Sequence, residues 1–278
     1  MLRVEAVGFK VNQRNLLNDV SFNIRSGEFI AIMGANGAGK STLMKLLSAE
    51  QTPTSGTISL HGKDLFTYSR KELSTKRAML QQQNAISMPF SVEEVVMMGR
   101  YGQYGHKPVH RDEVAVAEAM EVCGLTDMAD RTLLTMSGGE QQRVHLARVL
   151  AQLWDQKEAV LLLDEPLNNM DLQFQHQTLG IASALAKKGF IVISVLHDIN
   201  LAAQYVSRMI LMKGGRKWWD GSPAEVLSPA HIYNTFSINA RVYTDDHTLR
   251  TQIIPDEICL DAQTFNSNMN PEASVIIL

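Results

Sequence analysis

Three short stretches of the chain are apolar almost without interruption rather than at alternate positions: residues 29–33 (FIAIM), 159–163 (AVLLL) and 190–196 (FIVISVL). Runs of this kind suit strands buried on both faces of a mostly parallel sheet, where no side of the strand meets water. Helical patterns lie between them, at 40–48, at 144–154 with apolar residues at 144, 147, 150, 151 and 154, and at 172–188. Strands alternating with helices predict an α/β architecture.

The flanks read differently. Residues 2–9 (LRVEAVGF) and 19–29 (DVSFNIRSGEF) alternate with period two and carry a turn at Gly27, which predicts an antiparallel flap ahead of the first buried strand. Residues 84–155 hold a Pro89-Phe90 break, then SVEEVVMMGR and DEVAVAEAMEVCGL, with no convincing strand, and read as a mainly helical insert. From Arg241 the pattern is weak and runs into a polar stretch, NSNMNPEAS, and there is no internal repeat or long low-complexity segment. The division expected is a core of 1–83 and 156–237, a helical subdomain of 84–155 and a C-terminal extension of 238–278.

Composition narrows the function. A chain of 278 residues with 45% hydrophobic content fills one to two domains at about 150 residues each, which excludes a disordered or fibrous protein. Lys and Arg total 26 against 29 Asp and Glu, a net charge of −3, so no global basic field marks a nucleic-acid partner and any phosphate affinity must be local. The two cysteines, Cys123 and Cys259, suggest free thiols in a reducing cytosol rather than a disulfide or metal site. The N-terminal MLRVEAVGFK has no signal-peptide core, and the apolar runs are far too short to span a membrane. The chain reads as soluble, docking at most on something that is itself in a membrane.

The most specific chemistry is Gly34-Ala35-Asn36-Gly37-Ala38-Gly39-Lys40-Ser41, a phosphate-loop pattern set between an apolar strand and a helix. Glycines let the backbone N–H groups turn inward, the helix start adds partial positive charge, Lys40 reaches β and γ phosphates, and Ser41 can ligate Mg²⁺, with Thr42 a second hydroxyl beside it. A plain glycine-rich turn would not need Lys and Ser in register. The second apolar run ends at Asp164-Glu165, suited to holding Mg²⁺ and to polarising an attacking water, though acidic residues there also cap turns before a proline. The third ends at His197, which alone would read as structural. Ligands of open α/β sheets bind beyond the carboxyl ends of strands, so three such ends delivering polar groups to one edge point to a nucleotide site. Ser137-Gly138-Gly139-Glu140 opens another helix; Ser137 and Glu140 have capping-box spacing, but two glycines at helical positions, each costing about 1 kcal/mol, suggest a backbone lying against a ligand and a second anion site. One complete phosphate loop and one separate anion site suggest two copies completing each other.

Over about residues 2–236 these motifs resemble the ATP-binding cassette family of transporter ATPase subunits. The resemblance implies a P-loop NTPase (RecA-like) core, ATP and Mg²⁺ as ligands, Glu165 as general base, His197 as switch, and Ser41, Asp164 and Gln82 at the metal. Gln82 is taken from the run Gln81-Gln82-Gln83 by the register of the PFSVEEVVMMGR segment, with its two neighbours as alternatives. It implies that Ser137, Gly138, Gly139 and Glu140 bind the partner subunit's ATP, that Asp171 bridges the dimer, and that Val11, or Phe9 near it, stands where an aromatic residue stacks on adenine. Asn168-Asn169-Met170 replace the more usual small residues, and Ala35 the usual proline. Within the family, RAMLQQQNAISMPFSVEEVVMMGR, SGGEQQRVHLARVLAQLW and VLHDINLAAQYVSRMILMKGG are similar to the import branch for iron chelates, cobalamin and haem, nearest to haem-importer subunits. The implied assembly is a homodimer, peripheral on the cytoplasmic face of the inner membrane, joined to integral permease subunits and indirectly to a periplasmic or surface substrate-binding protein, with no nucleic acid. Residues 84–104, including Met88, Phe90, Met97, Met98 and Tyr101, either face the permease or fill the helical core. The competing class is a soluble cassette ATPase of iron–sulfur assembly, DNA repair or translation, but neither tandem cassettes nor a long coiled-coil insert is present. Intact Lys40, Asp164, Glu165 and His197 speak against a non-hydrolysing partner, and the scattered histidines against haem binding by the chain itself.

Overall fold

Antiparallel strands β1 (Leu2–Val11) and β2 (Arg14–Ile24) lead into the buried β3 (Phe29–Met33) and, through the glycine-rich turn, into α1 (Lys40–Leu47). The chain returns to the first pair as β4 (Ser55–Leu60) and the short β5 (Lys63–Asp64), then passes through α2 (Arg70–Lys76) to β6 (Arg77–Leu80). A long crossover carries α3 (Val92–Met97), α4 (His110–Val122) and α5 (Gly138–Leu153) before β7 (Val160–Asp164). After it come α6 (Leu172–Lys187), β8 (Ile191–Val195), α7 (Ile199–Tyr205), β9 (Arg208–Lys213), β10 (Arg216–Gly221), α8 (Pro223–Val226), α9 (Pro229–Phe236), β11 (Ala240–Thr244) and β12 (Thr251–Pro255). The computed structural model describes residues 1–82, 86–245 and 250–256.

The central sheet has six strands in the order β10-β9-β3-β8-β7-β6, all parallel except β10. Every residue of β3, β7 and β8 is buried, which is why those stretches are apolar on both sides. Alternate residues feed two different cores. Ala31, Leu161, Val192 and Met209 pack with α3–α6, while Ile30, Leu162, Ile193 and Ile210 pack with α1 and the four-stranded antiparallel sheet β2-β1-β4-β5. The flap expected from period-two alternation is that second sheet, with Val20, Phe22 and Ile24 turned inward.

Three strands of the central sheet escaped the sequence pattern, as did β4 and β5 of the flap. β6 has four residues and only half of them fully buried, β9 is apolar only at its middle, and β10 is an edge strand whose two tryptophans stand between charged residues. The weakly patterned tail also contains structure: β11 and β12 pair antiparallel, with Tyr243 opposite Gln252, and Asn200 on α7 both donates to Ile253 O and accepts from its N–H. The polar run NSNMNPEAS and Cys259 lie outside the described residues. Cys123 is buried at the end of α4, and burial pushes its thiol up to about 12, so it stays protonated and acts as a small apolar residue.

A buried cation knits the helices together. Arg100 is 1% exposed; its Nε donates to Asp112 Oδ1 (2.9 Å), its Nη1 to Ala151 O (2.9 Å), and its fork reaches both oxygens of Asp155 (3.1 and 3.0 Å). Such a charge is tolerated because every guanidinium edge is answered. Burial resists ionisation of Asp155, but hydrogen bonds from Arg100 and Gln156 and the charges of Arg100 and Arg111 prevail and hold its carboxyl down to about 2. A depressed carboxylate stabilises the fold above its ordinary pKa of 3.8 and loses that contribution as pH falls towards about 2. Asp155→Asn should therefore cost about 1–2 kcal/mol at neutral pH, allowing for partial solvent screening. In urea titrations the gap from wild type should close between pH 4 and 2, and a gap independent of pH would refute the ionic account.

Candidate functional site

The phosphate-loop segment leaves β3 at one end and enters α1 at the other, closing around its own lysine. Lys40 is 6% exposed, and its Nζ donates to Gly34 O (2.8 Å) and Ala35 O (3.2 Å). Burial lowers its pKa, an effect the nearby charges of Glu165 and Asp164 partly oppose. The loop is braced from outside: Gly215 N–H donates to Ala38 O (3.1 Å), and Asn18 N–H to Gly215 O (2.8 Å). Arg14, Leu16, Asn36–Thr42 and Glu165 line an open cleft of about 360 Å³. Ser41 and Thr42 line the same cleft beside Lys40.

Glu165 follows directly from β7 with a positive φ of 51°, which turns its side chain back over the strand ends. His197 Nε2 lies 2.8 Å from Glu165 Oε1, while Gln82 Nε2 (2.7 Å) and Asn168 Nδ2 (2.8 Å) both donate to Oε2. Burial pushes the carboxyl of Glu165 up, but the hydrogen bonds from His197 and Asn168 and the charges of His197 and Lys40 outweigh it, so the group sits below its ordinary range. Its neighbour Asp164 goes the other way: burial first, then the charge of Glu165, raise it. Asp164 Oδ1 is buried with no hydrogen-bond partner among the described residues. Of the three consecutive glutamines, Gln82 reaches Glu165, Gln81 donates to Glu50 Oε1 (2.8 Å), and Gln83 lies outside the described residues.

The second predicted anion site is the start of α5. Ser137 Oγ accepts from Glu140 N–H (3.3 Å) and Glu140 Oε2 from Ser137 N–H (2.7 Å), the reciprocal capping box. The need for Gly139 has a source within the chain: a Cβ there would stand 2.9 Å from Asn169 O, whereas one on Gly138 would meet only Asn169 Cβ at 3.9 Å. Asp171 caps α6, accepting from Phe174 N–H at 3.0 Å.

The two residues that the resemblance offers for base stacking lie near the end of β1. Phe9 is half-buried against the flap's core and Val11 is exposed at the end of β1, whereas the cleft wall is made by Arg14 and Leu16. Neither carries a motif in the sequence; they reach the cleft because β2 starts beside Gly39, where a Cβ would stand 2.9 Å from Leu16 O. Asn168 is the other contact that spacing did not reveal. In the 84–104 stretch, Phe90, Met97 and Met98 pack against the core, while Met88 and Tyr101 project outward; Asn84 lies outside the described residues.

A phosphate loop feeding a helix at the edge of a parallel sheet, with an acidic strand end and a histidine beside it, defines a P-loop nucleoside triphosphatase. The ABC transporter family model matches residues 17–168, and the chain belongs to that family as a transport ATPase. It is 42% identical to the hemin import ATP-binding protein HmuV of Rhodopseudomonas palustris over 88% of this chain and 91% of that one. It is also 42% identical to the protein of the same name from Gloeobacter violaceus, over 87% and 89%. Among solved structures, a metal-chelate type ABC transporter in an inward-facing conformation superposes with a TM-score of 0.77 at 24% identity, covering 92% of this chain and 97% of that one. A dimeric ATP-binding cassette bound to ADP and phosphate gives 0.70 at 25% identity, over 80% and 99%. No described helix is long and apolar enough to cross a membrane.

The glycines of the loop divide into two kinds. A Cβ on Gly34 would stand 2.2 Å from Met212 O, while one on Gly37, at φ 78°, meets nothing within 4 Å. Gly34→Ala should thus destabilise the chain by roughly 3 kcal/mol or more, and Gly37→Ala by only about 1 kcal/mol. Thermal unfolding with a fluorescent nucleotide titration would check this: equal melting losses in the two variants would contradict it.

Proposed function

We propose that this chain is the ATP-hydrolysing subunit of a haem importer, working as a head-to-tail pair beneath a membrane permease. What carries the reading is the meeting of Lys40, Glu165, Gln82 and His197 at one sheet edge, with Glu165 held by three donors and kept ionised. The hemin-import names of relatives that match nearly the whole chain support the cargo.

In this reading the backbone of Gly34–Ser41 cradles the phosphates, and Lys40 exchanges its bonds to the Gly34 and Ala35 carbonyls for β and γ oxygens. The buried Oδ1 of Asp164, lacking a partner and raised in pKa, is a ligand that a divalent cation would complete. Ser41 and Asp164, with Gln82, would hold Mg²⁺, which when bound neutralises charge between the β and γ phosphates. Glu165 orients water and takes its proton; His197 and Gln82 sense the γ-phosphate. Ser137, Gly138 and Gly139 at the start of α5, capped by Glu140, meet the partner subunit's ATP, and Asp171 bridges the pair. Residues 84–155 then act as a helical subdomain whose exposed Met88 and Tyr101 face the permease on the cytoplasmic side of the membrane, and 238–278 as an extension of the core. A substrate-binding protein outside the membrane hands over the cargo.

Glu165→Gln should keep ATP binding, trap an ATP-bound dimer on size exclusion, and lower phosphate release about 100-fold or more. Normal turnover would remove the general-base role. For the cargo, the native complex in membranes with its binding protein should show ATPase stimulation by haem. Stimulation by cobalamin or a ferric siderophore alone would reassign the importer, and a protein free of membranes under all conditions would favour the iron–sulfur assembly class.

A further inference from the structure

The three donors on Glu165 differ in what anchors them. Gln82 lies two residues beyond β6 and His197 two beyond β8, so both belong to strands other than that of Glu165. Asn168 sits on Glu165's own turn, closed by Asn168 N–H to Glu165 O (3.4 Å) and Met170 N–H to Leu167 O (3.3 Å). That turn is fastened to α6. Met170 is buried, its carbonyl accepts from Gln175 Nε2 (3.0 Å), its sulfur from the Thr178 hydroxyl (3.5 Å), and Asp171 caps the helix. Asn168 Nδ2 therefore meets Glu165 Oε2 at 2.8 Å from a platform that moves with the carboxylate.

We propose that Asn168 is a positioning residue for Glu165. Resting on the general-base reading above, the three donors differ in availability. On that reading Gln82 and His197 turn to the nucleotide and release the carboxylate, whereas Asn168, anchored on the turn of Glu165 itself, goes on holding it. A carboxylate freed of every donor samples rotamers out of reach of the water, and proton abstraction needs hydrogen-bond reach. The asparagine at a place where the family resemblance leads one to expect a small residue thus supplies a fixed amide that a shorter side chain lacks.

The test is a set of substitutions in the full-length chain, assayed with ATP and Mg²⁺. Asn168→Asp keeps the shape and removes the donor, Asn168→Ala removes both, and Asn168→Gln keeps the amide on a longer arm. kcat should fall roughly tenfold or more in the Asp and Ala variants, with KM for ATP little changed and partial recovery in the Gln variant. An Asp variant with wild-type kcat, or losses confined to KM, would overturn the proposal. A nucleotide-free measurement runs beside it: thermal unfolding of Asn168→Ala, Glu165→Ala and the double variant. The bond predicts losses that are not additive, and strict additivity would count against it. Glu165→Gln in the same series separates the two ideas. Full activity there removes the general base itself, whereas a dead Glu165→Gln beside an unimpaired Asn168→Ala removes the positioning role alone.

Discussion

A strand buried on both faces has nowhere along its length to put a charge, because each side chain enters an apolar layer. In β3 and β8 all five residues are buried, and in β7 only the last, Asp164, is charged. Chemistry is thereby expelled to the strand ends. Since β3, β8 and β7 are parallel neighbours in register, their carboxyl ends arrive at the same edge, and the phosphate loop, Asp164-Glu165 and His197 come together without a long ordered loop to carry any of them. The apolar layers that force this arrangement also strip water from it, which is why burial is the largest influence on Lys40, Asp164 and Glu165 alike.

The same burial has opposite outcomes in two adjacent carboxylates. Glu165 receives donors from His197, Gln82 and Asn168 and stays below its ordinary pKa; Asp164, with an unpartnered oxygen and Glu165 beside it, rises. Neighbouring acids pushed apart by their surroundings are equipped for different work. One is held down by hydrogen bonds the protein itself makes, and the other is pushed up by burial and by its neighbour's charge.

Most of the core was legible because it obeys one rule at a time. Continuous apolar runs marked β3, β7 and β8 within a residue or so, and three- and four-residue spacing marked α5 and α6. β6, β9 and β10 were missed because edge and near-edge strands mix polar residues into short runs, and the β11–β12 hairpin because its inward residues, Val242, Thr251 and Ile253, alternate over too few positions. At the site, motifs with fixed spacing gave Lys40, Ser41, Asp164, Glu165 and Ser137. Contacts that depend on local backbone geometry or on the approach of a distant strand were not legible in the same way. Asn168 on Glu165, and Arg14 and Leu16 on the cleft, depend on the positive φ of Glu165 and on the close approach of β2 to Gly39. Within the glutamine run, the register of the following segment pointed to Gln82, and it is the Gln82 side chain that the end of β6 aims at Glu165.

The paired glycines at the start of α5 illustrate how a motif can serve two masters. Read from sequence, both imply a ligand against the backbone. In the fold, Gly139 is small because the carbonyl of Asn169 lies against it, and four residues on the Arg143 guanidinium stacks on Phe174 of α6, 3.9 Å from the ring centroid. The first turn of α5 is therefore seated on the loop and helix that follow Glu165. Gly138 has no such neighbour and keeps its N–H at a capped helix start, where partial positive charge gathers. The next glycine lies against Asn169, one residue from Asn168 and its bond to Glu165. The start of α5 and the turn after Glu165 thus share a backbone contact, and the contact exists only because residue 139 has no side chain.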